Sequence, residues 1–492
     1  MVKSKLETSR LIREKRLRAR SILVFCFSVF IVKIMWLNSR EGKKLLGADG
    51  ENYLEALGGL LADGFFSNQG KLSYWPAGYP ILLWPIASIS ETNLGLIVGI
   101  LQSLIFALTI WYFAFELNES SLKKFAWPAA ITLNLSPTLS LNSLVIGYEV
   151  TSANFFLLAI SLFLRQSRLK KSSIFNLENS IIALVISISC FMQPRTLLLA
   201  VGLLIVFAVY HYRGRTIPVF LAASLLVLTF APTLMIYRNI VANGYAAIST
   251  NLGVTMNIGA GPEATGGYSD KAIGVPCKPI EGNAAEQDNH KVGCVIQWHL
   301  KNPARAMELM VNKFLFHWSP WFGPLANGTM GRNPWLQFHP FFETSKTEEG
   351  FNMTYGSVGK FFSWTWVSGS LILLLYGFIA LRRRGGVSTL LAWCLFIPVL
   401  LNTASSMGTI GDHRFRIPTL TLSILLQLFG LYAIFDRRSF KRGLDGKVRL
   451  AQGLNWNGRG QGDNLQPWQR RYKLRRSRYG AWPFKGKTDK SS

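Results

Sequence analysis

The residues best placed to do chemistry lie in the stretch 47–80, which follows the first strongly apolar run and carries Asp49, Gly50 and Glu51. An acid at the mouth of a membrane bundle is costly unless it faces a polar cavity, so Asp49 is a functional candidate. Asp49 and Glu51 are two residues apart. On a helix they diverge, whereas in an extended turn both reach one ligand. The second geometry would let Glu51 join Asp49 in holding a divalent metal and a nucleotide sugar, but nucleotide sugars are cytoplasmic and this loop is expected outside. The plainer reading is that Asp49 caps a helix over 50–62. Glu149 opens a later apolar run, where interaction with the helix dipole accounts for it equally well. Arg238 and Arg414 fall at run ends expected outside, against the usual bias of arginine toward the inner face, with snorkelling to the interface as the alternative.

Composition supplies the frame. The chain has 492 residues, 49% hydrophobic and 16% charged, with 33 Phe, 15 Trp and 15 Tyr, which is a membrane composition. The net charge of +27 is concentrated at the termini and in short loops, so it reads as membrane topology and not as a nucleic-acid surface. Apolar runs at 20–38, 93–115, 124–142, 149–165, 179–193, 195–211, 217–237, 361–381, 387–404 and 416–435 predict an all-α polytopic protein of about ten membrane helices. With the basic segment 1–19 inside, Lys123-Lys124, Arg165 to Lys171, Arg213-Arg215, Arg382 to Arg384 and Arg437-Arg438 all fall inside, in accord with the positive-inside rule. The first run lacks a small-residue cleavage site, so a removed signal peptide is not expected. Merging the runs around Gln193-Pro194-Arg195 would invert everything downstream.

Three regions follow: the N-terminal segment 1–19, a membrane domain 20–435 with outer loops 39–92 and 239–360, and a basic tail 436–492 too poor in aliphatic residues to fold alone. Both termini are expected in the cytoplasm, the tail against anionic lipid. Asp49, Tyr53, Ala56, Leu57 and Leu60 at helical spacing predict an amphipathic helix along the interface. Cys277 and Cys294 are the two of five cysteines outside apolar runs. They are either two free thiols or an outer-loop disulfide worth about 3 kcal/mol in the chain-entropy model. Cys26, Cys190 and Cys394 read as membrane packing. The histidines show no metal-ligand spacing, and His299, His317 and His339 read as loop or interface residues. His317-Trp318 with Trp321-Phe322 suits an aromatic belt. Lys313 is a minor phosphate candidate. Residues 259–264 mimic a dinucleotide fingerprint, but Pro262 and the missing strand argue for a turn.

Three motifs in order carry a resemblance: Asp49 and Tyr53 with Tyr74-Trp-Pro76-Ala-Gly78-Tyr79-Pro80; Tyr237-Arg238-Asn239 through Ser249-Thr-Asn251, Asn257-Ile-Gly259 and Ala264-Thr-Gly-Gly-Tyr268; and His413-Arg414-Phe415-Arg416-Ile-Pro418. Together they resemble the GT-C glycosyltransferases, specifically the dolichyl-phosphate-mannose–protein mannosyltransferase-like (glycosyltransferase family 39-like) group, over residues 20–435. The resemblance implies a GT-C helical bundle that transfers sugar from a polyprenyl phosphate to an acceptor hydroxyl on the extracytoplasmic face. Asp49 would be the catalytic base of an inverting single displacement. Arg238 and Arg414, with Arg195 and His413 as weaker candidates, would bind the leaving phosphate, and Glu149, Tyr53 and Tyr79 would join the substrate site. Protein mannosyltransferases place two acids side by side, whereas Gly50 separates them here. The acceptor therefore stays open among glycan, lipid and protein.

The membrane would be the inner membrane of a bacterium or the endoplasmic reticulum of a eukaryote. Two rivals are a lipid-linked-sugar transporter and a polysaccharide polymerase or ligase. The first calls for charges within the spans and inverted repeats, of which there are few signs; the second does not require an acid in the first outer loop.

Overall fold

A computed structural model describes residues 2–435, except positions 41, 43, 48, 175 and 213 and the stretches 170–172, 268–273, 319–344, 348–349 and 353–355. The tail 436–492, Tyr268, Trp321, Phe322 and His339 lie outside the described residues.

The chain runs α1 (Val2–Asn38), β1 (Leu45–Leu46), α2 (Gly50–Asp63), α3 (Lys71–Tyr74), α4 (Gly78–Ile89), α5 (Leu94–Glu119), α6 (Ala126–Leu135), α7 (Pro137–Asn142), β2 (Val145–Ile146), α8 (Glu149–Leu169), α9 (Leu177–Met192), α10 (Thr196–His211), α11 (Thr216–Asn243), α12 (Leu252–Ile258), α13 (Ala284–Lys301), α14 (Pro303–Trp318), the hairpin β3 (Ser345–Thr347) and β4 (Gly350–Asn352), α15 (Gly356–Arg384), α16 (Val387–Gly408) and α17 (Ile417–Phe435). Six helical stretches among the described residues are long and apolar enough to cross a bilayer: Ile12–Asn38, Leu94–Glu119, Thr216–Asn243, Thr365–Arg384, Val387–Gly408 and Arg414–Phe435. Their backbones satisfy their own hydrogen bonds, as hydrocarbon requires. Gly78–Ile89, Leu177–Met192 and Thr196–His211 are apolar but shorter.

Two sequence expectations change in detail. The run 124–142 does not continue as one helix, because Pro137 lacks an N–H and forces Ser136 into extended backbone (ψ 113°). The run 149–165 lengthens into α8, which buries Thr151, Ser152, Asn154, Ser161 and Gln166. Around Gln193-Pro194-Arg195 the chain reverses. Gln193 Nε2 donates to the Tyr148 hydroxyl at 3.0 Å near the start of α8, while Asn179 Nδ2 donates to the Tyr212 hydroxyl at 2.8 Å. The start of α9 therefore meets the end of α10, and the two are separate antiparallel helices.

The bundle has two chemically distinct ends. At one, Lys15 pairs with Glu119 at 3.2 Å, Arg168 with Glu116 at 3.0 Å, and Lys124 and Arg384 lie over Tyr432 and Phe125. At the other, Lys33 is buried near the end of α1 and donates to Ser143 Oγ (2.7 Å) and the Ser140 carbonyl (3.3 Å). That anchors the turn leading into β2.

Helix α2 keeps the amphipathic pattern that its spacing predicts and turns its apolar residues toward the protein: Tyr53, Ala56, Leu57 and Leu60 pack with Leu72, Tyr79, Leu83, Ile146, Tyr148 and Met192. A smaller cluster of Ala260, Val275 and Val295 joins α13 to the loop before it, and Cys277 and Cys294 are disulfide-bonded beside it.

Helices α15 and α17 approach closely at Gly377 and Gly430. A Cβ on Gly377 would stand 1.9 Å from the Leu426 carbonyl oxygen, and one on Gly430 2.1 Å from that of Leu373. Only glycine admits such proximity, the small-residue packing that holds membrane helices together. Gly377→Ala should lower stability by about 1–3 kcal/mol, read as a lower thermal midpoint in detergent. Gly369→Ala on the same helix, where a Cβ meets nothing within 4 Å, should leave it unchanged or slightly higher.

Candidate functional site

The site is built on a short parallel ladder. Leu45 and Leu46 pair with Val145 and Ile146, and Gly47 N donates to the Ile146 carbonyl at 3.1 Å. This fixes Gly47, two residues before Asp49, beside Ile146 and Gly147. Glycine flanks Asp49 for a steric reason: a Cβ on Gly47 would lie 2.9 Å from the Ile146 carbonyl oxygen and one on Gly50 3.2 Å from it. The ladder is braced from behind by the Tyr79 hydroxyl, which accepts from Gly147 N and from Gln102 Nε2, both at 2.9 Å. Gln102 Oε1 in turn accepts from Thr151 Oγ1 at 2.8 Å.

Asp49 precedes α2 yet its side chain makes no capping hydrogen bond. The carboxylate instead meets Arg414, Oδ2 to Nη1 at 3.1 Å, with only 11% and 13% of the two side chains exposed. Arg414 comes from a 3₁₀ turn, His413–Arg416, that begins α17. Asp412 shapes this turn by accepting the Arg414 backbone N–H at 3.0 Å, and Asn402 Nδ2 donates to the Phe415 carbonyl at 2.7 Å. Glu149 is buried at the start of α8 within the fields of Arg414, Asp49 and Asp412. Arg195 lies over the Phe415 ring at 4.0 Å and donates to Ser406 Oγ at 3.1 Å, its Nε buried without a hydrogen bond. Three carboxylates and two guanidiniums thus converge from α2, α8, α10 and the α16–α17 turn.

The other predicted residues have different placements. Tyr53 and Tyr79 are buried and packed edge to face at 5.1 Å, with Tyr53 meeting Tyr148 at 6.4 Å. They brace the ladder beneath Asp49. Glu51 is exposed whereas Asp49 is buried, so the helix separates the two acids and they do not form a joint metal site. His413 lies in the 3₁₀ turn, and its side chain is outside the described residues.

Arg238 has another task. Its guanidinium is fully buried and donates to the carbonyls of Phe65 (3.1 Å), Leu72 (3.3 Å) and Ser67, and to Asn239 Oδ1 (2.6 Å). No contact among the described residues ties it to Asp49. Buried carbonyls need donors, and Arg238 satisfies three at once, clamping the loop between α2 and α3.

Two residues enter the site that sequence reading did not place there. Asp412 carried a signal, an acid two residues before Arg414. His317, expected at an interface, is buried, and its Nδ1 stands 3.0 Å from Ser406 Oγ, the atom that also meets Arg195. Nothing in its neighbours along the chain indicated that contact. Among the described residues one group of three metal-type ligands clusters, Cys277, His290 and Cys294, and its two sulfurs are joined to each other.

No protein-family profile matches the chain, and no curated protein matches it. Solved structures with a partial likeness include the archaeal oligosaccharyltransferase AglB from Archaeoglobus fulgidus in complex with an inhibitory peptide and a dolichol-phosphate, at TM-score 0.43 and 12% identity. The apo form of an Archaeoglobus fulgidus oligosaccharyltransferase gives TM-score 0.41 and 14% identity. They cover 92% and 93% of this chain, which spans about half (54%) of each of theirs. At those scores the likeness assigns no residue, and the site rests on this chain's own geometry.

Burial, opposed by Arg414 and Arg195, pushes the Asp412 carboxyl up from 3.8 to about 6. A carboxyl with a raised pKa in the folded state holds its proton more tightly there than when unfolded, so stability rises as pH falls through about 6 toward 4. Between pH 7 and 5 the gain from this group should be on the order of 1 kcal/mol. Thermal midpoints in detergent should show that rise in the wild type and lack this component in Asp412→Asn.

Proposed function

We propose that this chain is a polytopic membrane glycosyltransferase that moves a sugar from a polyprenyl-phosphate donor to an acceptor hydroxyl, with Asp49 as the general base. The observation that carries the reading is the buried Asp49–Arg414 pair with Arg195 beside it: one carboxylate and two guanidiniums at the end of the bundle opposite the basic end. By the positive-inside rule the basic end is cytoplasmic, which puts the site on the outer face, where lipid-linked and not nucleotide-linked sugars are the available donors. The host membrane is the inner membrane of a bacterium or the endoplasmic reticulum of a eukaryote. The acceptor, whether glycan, lipid or protein, stands as an open choice of pocket chemistry.

The chemistry follows from the charges. In the resting pair the Asp49 carboxylate is occupied by Arg414 and not by an acceptor hydroxyl. A donor phosphate entering the cluster competes for Arg414, with which it can form bidentate charge-assisted bonds, and frees Asp49 as it binds. The acceptor oxygen then attacks the anomeric carbon while its proton passes to Asp49. The bond from that carbon to the phosphate oxygen breaks, and the polyprenyl phosphate leaves as an anion stabilised by Arg414 and Arg195. One displacement inverts the anomeric centre. Glu149 and Asp412 keep Arg414 aimed between them when no donor is present.

Asp49→Asn should lower the thermal midpoint, with Glu149 and Asp412 still facing Arg414 in the folded variant, and reduce transfer by about 10²–10⁴-fold, measured with purified, folded protein and a lipid-linked sugar. Because the substitution releases Arg414 from its partner, affinity for a polyprenyl phosphate should hold or increase. Turnover near the wild-type rate would remove the mechanism.

A further inference from the structure

A groove of 420 Å³ lies between α9, α10 and α11, apart from the transfer cluster. Its walls include Ala183 on α9, Leu204 on α10 and Phe220, Ala223 and Val227 on α11, with Asn176, Asn179 and Ser180 at one end. That end belongs to the basic end of the bundle. Asn179 Oδ1 accepts from Gln166 Nε2 at 2.8 Å, and Glu178 faces Arg165 at 4.0 Å, on the same last turns of α8 as the Arg168 that pairs with Glu116. Farther along, Ser187 Oγ donates to the Val227 carbonyl at 3.2 Å and ties α9 to α11. Below that tie the small side chains of Ala183 and Ala223 leave the space open.

The surroundings of the groove say what fills it. Helix α11 is long and apolar enough to cross a bilayer, and Leu226 and Phe230 on α11, with Leu177 and Leu184 on α9, are exposed. In a bilayer such side chains face hydrocarbon, so the groove opens on lipid and not on water. An unfilled groove would forfeit the dispersion contacts of its lining, and an acyl chain restores them. Two polar features lie within reach of the same lipid. Ser224, 7% exposed, lines the groove, and its hydroxyl bonds to no other described residue. It stands eight residues, or about 12 Å, inward from the start of α11. Arg215 immediately precedes α11, about a turn and a half before Phe220. It is exposed and pairs with no carboxylate among the described residues. The connections from α8 to α9 and from α10 to α11 also carry Lys170, Lys171 and Arg213, so the leaflet at this end meets a surplus of positive charge.

We propose that the groove holds one anionic phospholipid of the leaflet at the basic end of the bundle. An acyl chain lies along Leu204, Phe220 and Val227, an ester carbonyl accepts from Ser224, and the phosphate meets Arg215, whose guanidinium can bind it through two hydrogen bonds. The inference rests on the chain spanning a bilayer and not on the transferase reading.

Native mass spectrometry of the full-length protein in detergent tests this, with dioleoylphosphatidylglycerol and dioleoylphosphatidylcholine as probes. The wild type should retain one copy of the anionic lipid, bound about fivefold more tightly than the zwitterionic one. Arg215→Gln, at an exposed position, should abolish that preference at an unchanged thermal midpoint. Ala223→Trp and Ala183→Trp fill the groove from α11 and α9 and should each lose the bound lipid, whereas Ala222→Trp, at an exposed position outside the groove, should keep it. Ala183→Trp decides if Ala223→Trp does not fold, and Arg215→Gln decides if neither does. Equal retention of the two lipids by the wild type, or an unchanged preference in Arg215→Gln, overturns the proposal. So does wild-type retention in folded Ala223→Trp and Ala183→Trp. A lipid-free complex of two chains that Ala223→Trp reduces to one would give the groove to a second copy of the protein and overturn it equally.

Discussion

The buried pair of Asp49 and Arg414 is the constraint to which the rest of the site answers. Two charges removed from water are tolerable only together and only in good geometry; either one alone is a burden on the fold. The pair joins residues from opposite ends of the chain, so three segments must meet within tenths of an ångström. The β1–β2 ladder fixes Asp49, the capped 3₁₀ turn fixes Arg414, and the Tyr79 and Gln102 network holds the ladder still. The glycines at 47 and 50 serve the same requirement, since a side chain at either position would crowd the Ile146 carbonyl against which this turn packs.

What the sequence made legible was mostly what is local. Apolar runs located helices, and Asp49 stood out because an acid beside a membrane span calls for an explanation. The glycine and proline pattern of 74–80 marked a turn, and the turn is there. Partnership was not legible. Arg238 and Arg414 look alike in sequence, both arginines at the end of an apolar run, yet one is spent on three carbonyls and the other meets Asp49. The difference lies in which loop happens to pack beside each, a tertiary fact that no short window contains. His317 is the same lesson in reverse, since beside Trp318 it reads as a membrane-boundary residue until α14 is seen folded against α16. The break at Ser136-Pro137 was available from the proline alone, and the apolar character of its flanks masked it.

The region between α11 and α15 also shows how polar side chains substitute for a hydrophobic core where little apolar surface is available. Around α12 to α14 the apolar cluster is small, and order comes from specific contacts. Asn283 and Glu286 form a reciprocal cap at the start of α13, Asp288 accepts Gly253 N at 2.8 Å, and the disulfide closes the segment before the helix. Arg416 adds a tie from the bundle by donating to the Trp318 carbonyl at 2.8 Å, at the negative end of α14.

The Arg238 clamp has a consequence for anyone exchanging parts between such proteins. The guanidinium belongs to α11 but the carbonyls it satisfies belong to the loop after α2 and to α3 itself, and the Thr250 backbone donates to the Ser73 carbonyl at 3.0 Å across the same seam. These two regions, remote in the gene, are one heritable unit. A graft that moved the loop without the end of α11 would transplant three thirsty oxygens and leave their donor behind.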